Sequence, residues 1–572
     1  MKKRVVALVL GTALAVSALA GCGSKQAAQE TAKSQESEST ASVETAVSDA
    51  PETEEVAQSE EIAMDAFAGT EITIGILRNA LDKSEDYSEK TIVKLAEEAT
   101  GIKVNVVGID STTKDEKVSV LLANTEEMPD MMIGLVSGSD VNSNLELFYD
   151  LSEEGLPETY APDVYADYMN TVGLEPLMQT DGSIRTLMTG GQTSIGSALN
   201  GIMWINQTWL DQLGMEVPTT MDEFYEVLCA FRDNDMNGNG DTTDEIPYLF
   251  ANSLWCSHIY ELAGFWGIAG GGSNTVDSIA KFIEDGEVKS TMDTDNFRAY
   301  LEYVNMMVEE GLIDKEGFSQ TYEQFVGKVE SGDVGCFWGW TPHTYMDKEK
   351  ALNYTWMAPV AAVDGVKPVL SGKGESLMAN TAGVVFNAES ENVQAALWWW
   401  NYLSSSTENK WTANNGPEGT TWEWKEGEEG KTVVNRQMEE SELPSGWNAA
   451  NCTYSNGLTA GGIGPYIRTD ELAYVDFVTD PTTDNSYRFA AIDALWDYKL
   501  EEFLPTRNVD ADASADNNFI WLELEPYLKE FIATSMMEGV TDESWEAHLE
   551  QLNTLQYYEW LDWYQKYYDG EL

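Results

Sequence analysis

The feature that most constrains the fold is an alternation of strand-like and helix-like segments in the first part of the chain. Residues 72–77 form a short apolar run, residues 92–99 carry apolar side chains at helical spacing, and residues 102–109 alternate between apolar and polar side chains. A second helical segment, 115–123, leads to another strand-like run within 129–134. Strands that alternate with helices in this way build a parallel sheet with helices on its faces. The pattern therefore predicts an α/β fold.

The predicted strands also indicate where a ligand would bind. In parallel sheets, ligands meet the carboxyl ends of the strands. The segments that follow residues 77 and 134 lie at such ends, and they carry the polar side chains of Arg78, Asn79 and Asp140. We expect these three residues to be polar partners of a bound ligand.

The aromatic content of the chain, 19 Trp and 25 Tyr, indicates a ligand cleft as well as a core. Flat aromatic faces stack on sugar rings and on cations, and aromatic side chains line many clefts. Within the segment 334–340, which is rich in Gly and Trp, Trp338 and Trp340 are the predicted stacking platforms. The secondary candidates are Trp255, Trp266 and Tyr345. For any single ring, a place in the core is the alternative.

The charge balance excludes one class of partner. The formal net charge is -65, with 98 acidic against 33 basic residues. Proteins that bind nucleic acid need clusters of Lys and Arg to neutralise the phosphates. We therefore predict no nucleic-acid partner.

No catalytic motif is present in the sequence. HExxH, GxSxG and GxxxxGK[ST] are absent, and the three histidines, His258, His343 and His548, are not spaced as a metal site or a catalytic triad. We predict that the protein is not an enzyme. A secreted glycoside hydrolase stays open as an alternative, because a sequence alone never excludes a suitable pair of carboxylates.

The N-terminus resembles a bacterial lipoprotein signal. Basic residues 2–4 precede an apolar run, residues 5–19, and the sequence Leu-Ala-Gly-Cys ends at Cys22. This predicts a signal peptide over 1–21 and a lipid such as palmitate on Cys22. Residues 22–69 are predicted to be a disordered tether, because Ser, Thr, Ala, Gln and Glu dominate and cannot bury enough apolar surface to fold.

No later segment is long and apolar enough to span a bilayer. The lipid is therefore the predicted membrane attachment, with the body on the extracellular face of a Gram-positive cell membrane or in a periplasm.

An oxygen-rich loop at residues 235–245 predicts a calcium site. Calcium takes six to eight oxygen ligands, and the alternate positions of a tight, Gly-containing turn aim side chains at one point. The predicted ligands are Asp235, Asn237, Asn239, Asp241, Asp244 and Glu245. Ile246 occupies the twelfth position, where an EF-hand has its closing acid. An ordinary turn is the alternative. Because no second copy of the loop exists in the sequence, we expect a structural role for the ion.

The remaining cysteines leave the disulfide state open. Besides Cys22 the chain has Cys229, Cys256, Cys336 and Cys452, which permit three pairings in an exported protein. Cys229 and Cys336 lie in apolar patterns that are typical of buried free thiols.

Several motifs resemble a known family. Residues 204–214 read Trp-Ile-Asn-Gln-Thr-Trp-Leu-Asp-Gln-Leu-Gly, residues 217–220 read Val-Pro-Thr-Thr, and the oxygen-rich loop ends in Asp-Glu-Ile-Pro at 244–247. Residues 309–314 and 330–335 continue the similarity. These segments resemble the extracellular solute-binding lipoproteins of bacterial ABC sugar importers, of the family 1 type.

This resemblance implies a two-lobed, periplasmic-binding-protein-like clamp of type II, with discontinuous lobes and a ligand cleft at the hinge. It implies an N-terminal lobe of 70–198 and 339–379 and a C-terminal lobe of 199–338 and 380–572. The implied function is the capture of a carbohydrate, such as an oligosaccharide, by hinge closure, and its delivery by a monomer to the transmembrane subunits of an ABC permease. The resemblance also implies a bound calcium ion at the loop. A receptor for peptides or another small solute is the alternative, and a surface adhesin is a further one.

Overall fold

The computed structural model describes residues 62–572 except 80–81, 153–154, 192–198, 271–274, 373–379, 428–429, 436–441, 446–448, 459–463, 469–483 and 510. The predicted signal peptide, the lipidation site Cys22 and the predicted tether up to residue 61 lie outside the described residues. Among the described helices, none combines the length and the apolar character needed to cross a membrane.

The strands of the described residues are, in chain order, β1 Glu71–Arg78, β2 Lys103–Asp110, β3 Met131–Ile133, β4 Thr186–Thr189, β5 Ile202–Asn206, β6 Ile246–Leu249, β7 Lys281–Glu284, β8 Glu287–Ser290, β9 Val334–Gly339, β10 Tyr354–Met357, β11 Asn380–Phe386, β12 Trp422–Gly427 and β13 Gly430–Asn435. Two larger sheets organise the chain, and the pairs β7–β8 and β12–β13 form separate hairpins.

The α-helices are, in chain order, α1 Thr91–Thr100, α2 Lys114–Ala123, α3 Gly138–Ser143, α4 Leu156–Tyr160, α5 Pro162–Met169, α6 Gln207–Leu213, α7 Met221–Asp233, α8 Val276–Ile279, α9 Asp295–Glu309, α10 Tyr322–Ser331, α11 Lys348–Ala351, α12 Val393–Ser404, α13 Thr407–Asn415, α14 Ala449–Asn456, α15 Asp484–Leu495, α16 Ala511–Glu538, α17 Asp542–Thr554 and α18 Tyr557–Asp569.

The first sheet has the strand order β2-β1-β3-β11-β4 and forms the centre of the first lobe. Strands β2, β1 and β3 are parallel, as the alternation of strands and helices predicts, while β11 is antiparallel to both β3 and β4. Helix α1 buries Ile92, Val93 and Ala96 and ends at Gly101, whose positive φ of 69° closes the helix. Helix α12 is so deeply buried that all three of its adjacent tryptophans, Trp398 to Trp400, belong to this core.

The second sheet has the order β10-β5-β9-β6 and forms the centre of the second lobe. β5 is antiparallel to both neighbours, and β6 is parallel to β9. All five residues of β5 are buried, because helices cover both faces of a sheet that has few exposed positions. Side chains from α7, α9 and α16 contribute to the same core.

The chain passes between the lobes three times. The first crossing joins β4 to β5 and spans 190–201, and the second joins β10 to β11 and spans 358–379. The third runs from Arg468, which donates to Asp167 in the first lobe, to Tyr487, which donates to Tyr354 in the second. The lobes are therefore discontinuous, as predicted.

The strand pairing divides the chain differently from the predicted boundaries, which assign 339–379 to the N-terminal lobe and 380–572 to the C-terminal lobe. Tyr354–Met357 pairs with β5 in the second sheet, and Asn380–Phe386 pairs with β3 and β4 in the first. The apolar residues of β11 are buried because this strand lies between β3 and β4. The apolar helix α12 that follows β11 packs into the core of the first lobe.

The predicted end of the tether at residue 69 is also too late. Ile62 and Phe67 pack against the first core, and the indole N–H of Trp398 donates to the carbonyl oxygen of Met64 at 2.9 Å. Burying Trp398 requires an acceptor for its N–H, and this segment supplies one.

The four described cysteines, Cys229, Cys256, Cys336 and Cys452, are all free thiols.

Candidate functional site

The first two crossings join the second sheet at the same ends of its strands, and these strand ends form one edge of the sheet. The first residue of β5, Ile202, pairs with Gly339 at the end of β9, and Met203 pairs with Met357 at the end of β10. The start of β5 and the ends of β9 and β10 therefore lie side by side. Trp340 follows β9 directly, so it lies where the chain enters and leaves the second lobe.

The same crossings reach one edge of the first sheet. β4 ends at Thr189, which pairs with Asn380, the first residue of β11. Because β3 is antiparallel to β11 and parallel to β1, the carboxyl ends of β1 and β3 lie at this edge too. Arg78 is the last residue of β1, Asn79 follows it, and Asp140 follows β3 within α3. The two edges that the crossings join therefore border a cleft at the hinge.

One exposed and one half-buried aromatic ring meet at the second-lobe edge of this cleft. Trp255 follows β6 and is 56% exposed, which is unusual for so large an apolar side chain. Its ring centroid lies 5.6 Å from that of the half-buried Trp340, and the ring planes are inclined by 55°. The Trp255–Trp340 pair is therefore an open, angled aromatic surface of the kind that stacks on sugar rings.

Buried side chains hold Trp340 in place. Its backbone N–H donates to the hydroxyl oxygen of Tyr345 at 3.0 Å, and its carbonyl oxygen accepts from Nη1 of Arg488 at 2.8 Å. The guanidinium carbon of Arg488 lies 3.3 Å from the centroid of the Trp340 ring. Gly339 makes this packing possible, because a Cβ there would lie 2.6 Å from Cε2 of Tyr345.

The hydroxyl of Tyr345 and the thiol of Cys256 lie 3.4 Å apart behind Trp340. Burial raises the pKa of Tyr345 well above its usual value, and the neighbouring Cys256 raises it further. Burial likewise raises the pKa of the Cys256 thiol. Both groups are therefore uncharged at neutral pH, and they support the ring without placing a negative charge next to it.

Three of the predicted aromatic ligands are core residues in this conformation. Trp338 is 0% exposed, Trp266 is 3% exposed and Tyr345 is 4% exposed. Successive side chains of β9 point to opposite faces of the second sheet. Because both faces are covered, Trp338 is buried whichever face it points to. Trp266 packs on Tyr300 and Tyr303. Tyr345 acts instead as the support of Trp340.

Trp266 also borders a cavity of about 740 Å³. The lining residues lie in 266–296, 365–369 and 499–506, and they include Lys281 and Glu502. Residues 266–296 and 499–506 belong to the second lobe, and residues 365–369 belong to the second crossing. The N–H of Val369 donates to the carbonyl oxygen of Gly264, so this part of the crossing lies against the second lobe and the cavity lies on that side of the hinge. The Trp255–Trp340 pair, by contrast, lies at the edge that the crossings share.

The predicted polar partners already have intramolecular roles. Arg78 donates to the carbonyl oxygens of Asp82 and Ser84 at 3.3 and 3.1 Å, and it lies 3.6 Å from the carboxylate of Asp110. The backbone carbonyl of Asn79 accepts from the N–H of Asp82.

The carboxylate of Asp140 accepts from the N–H and the hydroxyl of Ser137 at 2.8 and 2.6 Å, which completes a capping box on α3. The spacing Ser-x-x-Asp is a recognisable signal for this cap in the sequence.

The oxygen-rich loop folds into a compact turn. Both carboxylate oxygens of Asp235 accept backbone N–H groups, from Gly238 at 2.8 Å and from Gly240 at 2.9 Å. The positive φ angles of these two glycines, 76° and 91°, are the reason that only glycine fits there without strain. The side chain of Asp241 accepts from the N–H of Thr243, so it faces its own turn.

The acidic end of the loop bears on whether a cation fits. The side-chain amides of Asn237 and Asn239 donate to Oδ2 of Asp244 at 3.4 and 2.6 Å, and Glu245 accepts from the N–H of Met236 at 2.7 Å. The other oxygens of these acids, Oδ1 of Asp244 and Oε2 of Glu245, are buried and have no hydrogen-bond partner among the described residues.

Two unpartnered buried carboxylate oxygens are ligands of the kind that a hard cation takes. In the described part of the chain, however, no group of three or more His, Cys, Asp or Glu side chains is arranged to hold a metal ion.

The residue of the site that the sequence does not reveal is Arg488. It lies on α15, directly after the third crossing, and is only 2% exposed. Its partner Trp340 is 148 positions away in the sequence, and no local motif marks the contact.

Comparison with known proteins agrees with this architecture. The family model for bacterial extracellular solute-binding proteins matches residues 83–410, more than half of the chain. A curated relative from Streptococcus pneumoniae serotype 4, the fructooligosaccharide ABC transporter substrate-binding protein FusA, is 27% identical over 315 residues, which are 53% of this chain and 54% of FusA. The chain thus spans about half the length of the curated relatives it matches.

Solved structures match over a longer range. An HMO-binding ABC-transporter-associated solute-binding protein from Bifidobacterium longum infantis has a TM-score of 0.73 and 22% identity, over 87% of this chain and 98% of that one. An EF-hand mutant of S. pneumoniae FusA, in complex with fructo-nystose, has a TM-score of 0.70 and 21% identity, over 88% and 99%.

These likenesses confirm the predicted two-lobed α/β clamp. The matching family is one of solute-binding proteins and not of enzymes. The chain therefore belongs to the family of bacterial extracellular solute-binding proteins.

Proposed function

We propose that this protein captures a carbohydrate, specifically an oligosaccharide, in the cleft at the hinge and delivers it to the transmembrane subunits of an ABC permease. The lobes close on the sugar by hinge motion, and the protein acts as a monomer without catalysing a reaction. The observation that carries the proposal is the Trp255–Trp340 pair, with Trp255 exposed and Trp340 half-buried, at the edge that the crossings share.

The chemistry of this surface favours a sugar over a peptide. The two rings present apolar faces at an angle, which suits the C–H faces of pyranose or furanose rings. The opposite edge presents Arg78, Asn79 and Asp140, whose polar groups could meet sugar hydroxyls once the lobes close. The names of FusA and of the HMO-binding neighbour, both oligosaccharide receptors, support the same class of ligand.

The proposal extends to a structural calcium ion in the loop 235–245. Its ligands would come from Asp235, Asn237, Asn239, Asp241, Asp244 and Glu245, with the unpartnered oxygens of Asp244 and Glu245 as the strongest support. The neighbouring FusA structure is named as an EF-hand mutant, which supports a cation loop in this fold. The ion would brace the second lobe, away from the sugar.

The proposal also includes a lipid on Cys22 that holds the protein at the membrane, with residues 23–61 as a tether. The sequence around Cys22 supports this part. Metabolic labelling with a radioactive or clickable palmitate tests it, because a Cys22→Ser variant should lose both the label and the membrane fraction.

Calorimetric titration of the chain from residue 23 onward with a panel of neutral tri- to hexasaccharides tests the sugar proposal. At least one should bind, and Trp340→Ala and Trp255→Ala should each weaken that binding by about fivefold or more, since stacking on one aromatic ring contributes about 1 kcal/mol or more. Trp563→Ala, which removes a half-buried indole from the C-terminal helix α18, is the control and should keep the wild-type affinity.

Absence of binding to every sugar in the panel would overturn the proposed function. So would binding that both cleft variants retain at full strength. Hydrolysis of the bound oligosaccharide during the titration would replace the receptor function with an enzymatic one.

A further inference from the structure

We propose that Arg488 is a positioning residue, which fixes the Trp340 ring for stacking and links it mechanically to the first crossing. The proposal rests on the proposed function, because stacking on Trp340 presumes a sugar ligand. It goes further by naming a buried side chain outside the sugar contact that determines the affinity.

Arg488 contacts both Trp340 and the first crossing of the hinge. Nη1 donates to the carbonyl oxygen of Trp340 at 2.8 Å. Nη2 donates to the carbonyl oxygens of Leu199 at 2.5 Å and of Asn200 at 3.1 Å. Leu199 and Asn200 directly precede Gly201, the last residue of the first crossing. One guanidinium therefore holds both the platform and the segment that leads into β5.

The planar guanidinium also covers one face of the indole. At 3.3 Å from the ring centroid, its carbon is in van der Waals contact with that face, so a ligand has only the other face on which to stack. A cation over an indole is favourable, and more so when both groups are shielded from water. Arg488 is 2% exposed, so this interaction and its charge-assisted hydrogen bonds are strong.

Arginine is required for this arrangement by its shape. Its fork of N–H groups reaches three carbonyl oxygens in different directions while its flat centre lies on the ring. A lysine would keep the charge but has a single ammonium group that cannot do both. The adjacent Tyr487 anchors the same turn of α15, because its hydroxyl donates to the carbonyl oxygen of Tyr354 at 2.9 Å. The helix therefore cannot easily carry Arg488 away from Trp340.

Fluorine NMR of the 5-fluorotryptophan-labelled protein tests this role without any sugar. The Trp340 resonance is identified by its absence from a Trp340→Phe variant. In Arg488→Met we expect that resonance to shift and broaden, while most other tryptophan resonances stay in place. Arg185→Met is the matched control. Arg185 also donates to a backbone carbonyl, that of Phe148 at 2.7 Å, but it lies in the first lobe, so its loss should leave the Trp340 resonance unchanged.

Calorimetry with the neutral oligosaccharide that binds wild type most tightly provides the second readout. We expect Arg488→Met to weaken binding by about tenfold and Arg488→Lys by less. In a Trp340→Ala background, Arg488→Met should change the affinity by less than about twofold, because the ring through which it acts is gone.

An unshifted Trp340 resonance together with wild-type affinity in Arg488→Met would overturn the proposal. An equal loss of affinity with and without Trp340 would overturn it as well. Should Arg488→Met fail to fold by circular dichroism, Arg488→Lys decides by the same two readouts. If wild type binds no sugar in the panel, the proposed function fails, while the fluorine spectrum still decides whether Arg488 positions the ring.

Discussion

The backbone N–H of Asn200 donates a hydrogen bond to the carbonyl oxygen of Ser371 at 2.9 Å. Asn200 belongs to the first crossing and Ser371 to the second, so the two crossings are hydrogen-bonded directly to each other. The hydroxyl of Ser371 also accepts from the N–H of Gly270, which ties this junction to the second lobe. The two crossings are therefore fixed to each other and to the second lobe at Asn200 and Ser371.

The close approach of the first crossing to the second lobe gives a stability prediction. A Cβ on Gly201 would lie 2.3 Å from the carbonyl oxygen of Cys256, a backbone atom that has little freedom to move. We expect Gly201→Ala to lower the free energy of unfolding by about 1–3 kcal/mol, the usual cost of overpacking, as measured by urea denaturation.

Gly327 provides the control, because it lies inside α10 with open space around its Cα. Gly327→Ala should leave stability unchanged or raise it by up to about 1 kcal/mol, since alanine favours helix. Equal effects of the two substitutions would contradict the predicted clash.

A buried ion pair gives the second prediction. Nζ of Lys90 lies 3.0 Å from the carboxylate of Asp82, and both side chains are almost completely buried. The ammonium also donates to the carbonyl oxygens of Tyr454, Ser455 and Gly457. Lys90→Met removes one charge of the pair and should lower the free energy of unfolding by about 3–5 kcal/mol, because Asp82 is left charged in a buried site.

The exposed pair of Lys367 and Glu501, also 3.0 Å apart, is the comparison. Lys367→Met should lower the free energy of unfolding far less than Lys90→Met, since water screens both exposed charges. If the two lysine substitutions have the same effect in denaturant titrations, burial is not what gives the Lys90 pair its importance.

His548 gives a prediction for acid stability. Burial lowers its pKa from 6.5 to about 4, and its neutral ring accepts from Tyr527 and donates to the carbonyl oxygen of Met292. Above pH 6.5 the ring is neutral in both the folded and the unfolded chain. As the pH falls from 6.5 towards 4, only the unfolded chain gains the proton, so this residue's contribution to stability is lost.

We expect the wild type to lose about 2 kcal/mol from His548 between pH 7 and pH 5. In His548→Gln that part of the pH dependence should disappear, although the variant is less stable at pH 7. The measurement is the free energy of unfolding at both pH values. A pH dependence identical to that of wild type would show that His548 does not carry it.

Chelation tests the proposed calcium brace. Protein dialysed against EDTA should unfold at a temperature about 5 °C or more below that of protein in millimolar calcium, because an ion that binds only the folded state stabilises it by mass action. In Glu245→Gln the difference should shrink, while magnesium should not replace calcium in wild type. An unchanged melting temperature and no copurified metal would remove the brace and leave the sugar proposal intact.

The elements that depend on local patterns are the ones that the sequence predicts well. The segments 72–77, 92–99 and 115–123 fall within β1, α1 and α2, because short apolar periods identify elements that cover one core. The sheet edge that carries Arg78 and Asp140 follows from the same pattern. The division into lobes does not, because it depends on which strand pairs with β3, and that partner lies in β11, far along the chain.

The candidate site shows the same limit. The sequence predicts stacking tryptophans within the segment 334–340, yet only the structure separates the half-buried Trp340 from the buried Trp338. Trp338 lies inside β9 and Trp340 directly follows that strand, and composition and alternation do not distinguish the two rings. Arg488 escapes prediction because its role consists entirely of distant contacts.

The position of β11 has a consequence for how the protein is made. A chain synthesised from its N-terminus presents β3 and β4 long before Asn380–Phe386 exists to pair with both of them. The carbonyl groups that receive the ammonium of Lys90 arrive later still, at residues 454–457. Neither half of the first sheet has a complete hydrogen-bonded edge in the meantime, and unpaired edges invite association with other chains. Truncations that end before residue 380 leave β3 and β4 without the strand that joins them, and we expect such fragments to aggregate rather than fold as an independent first lobe.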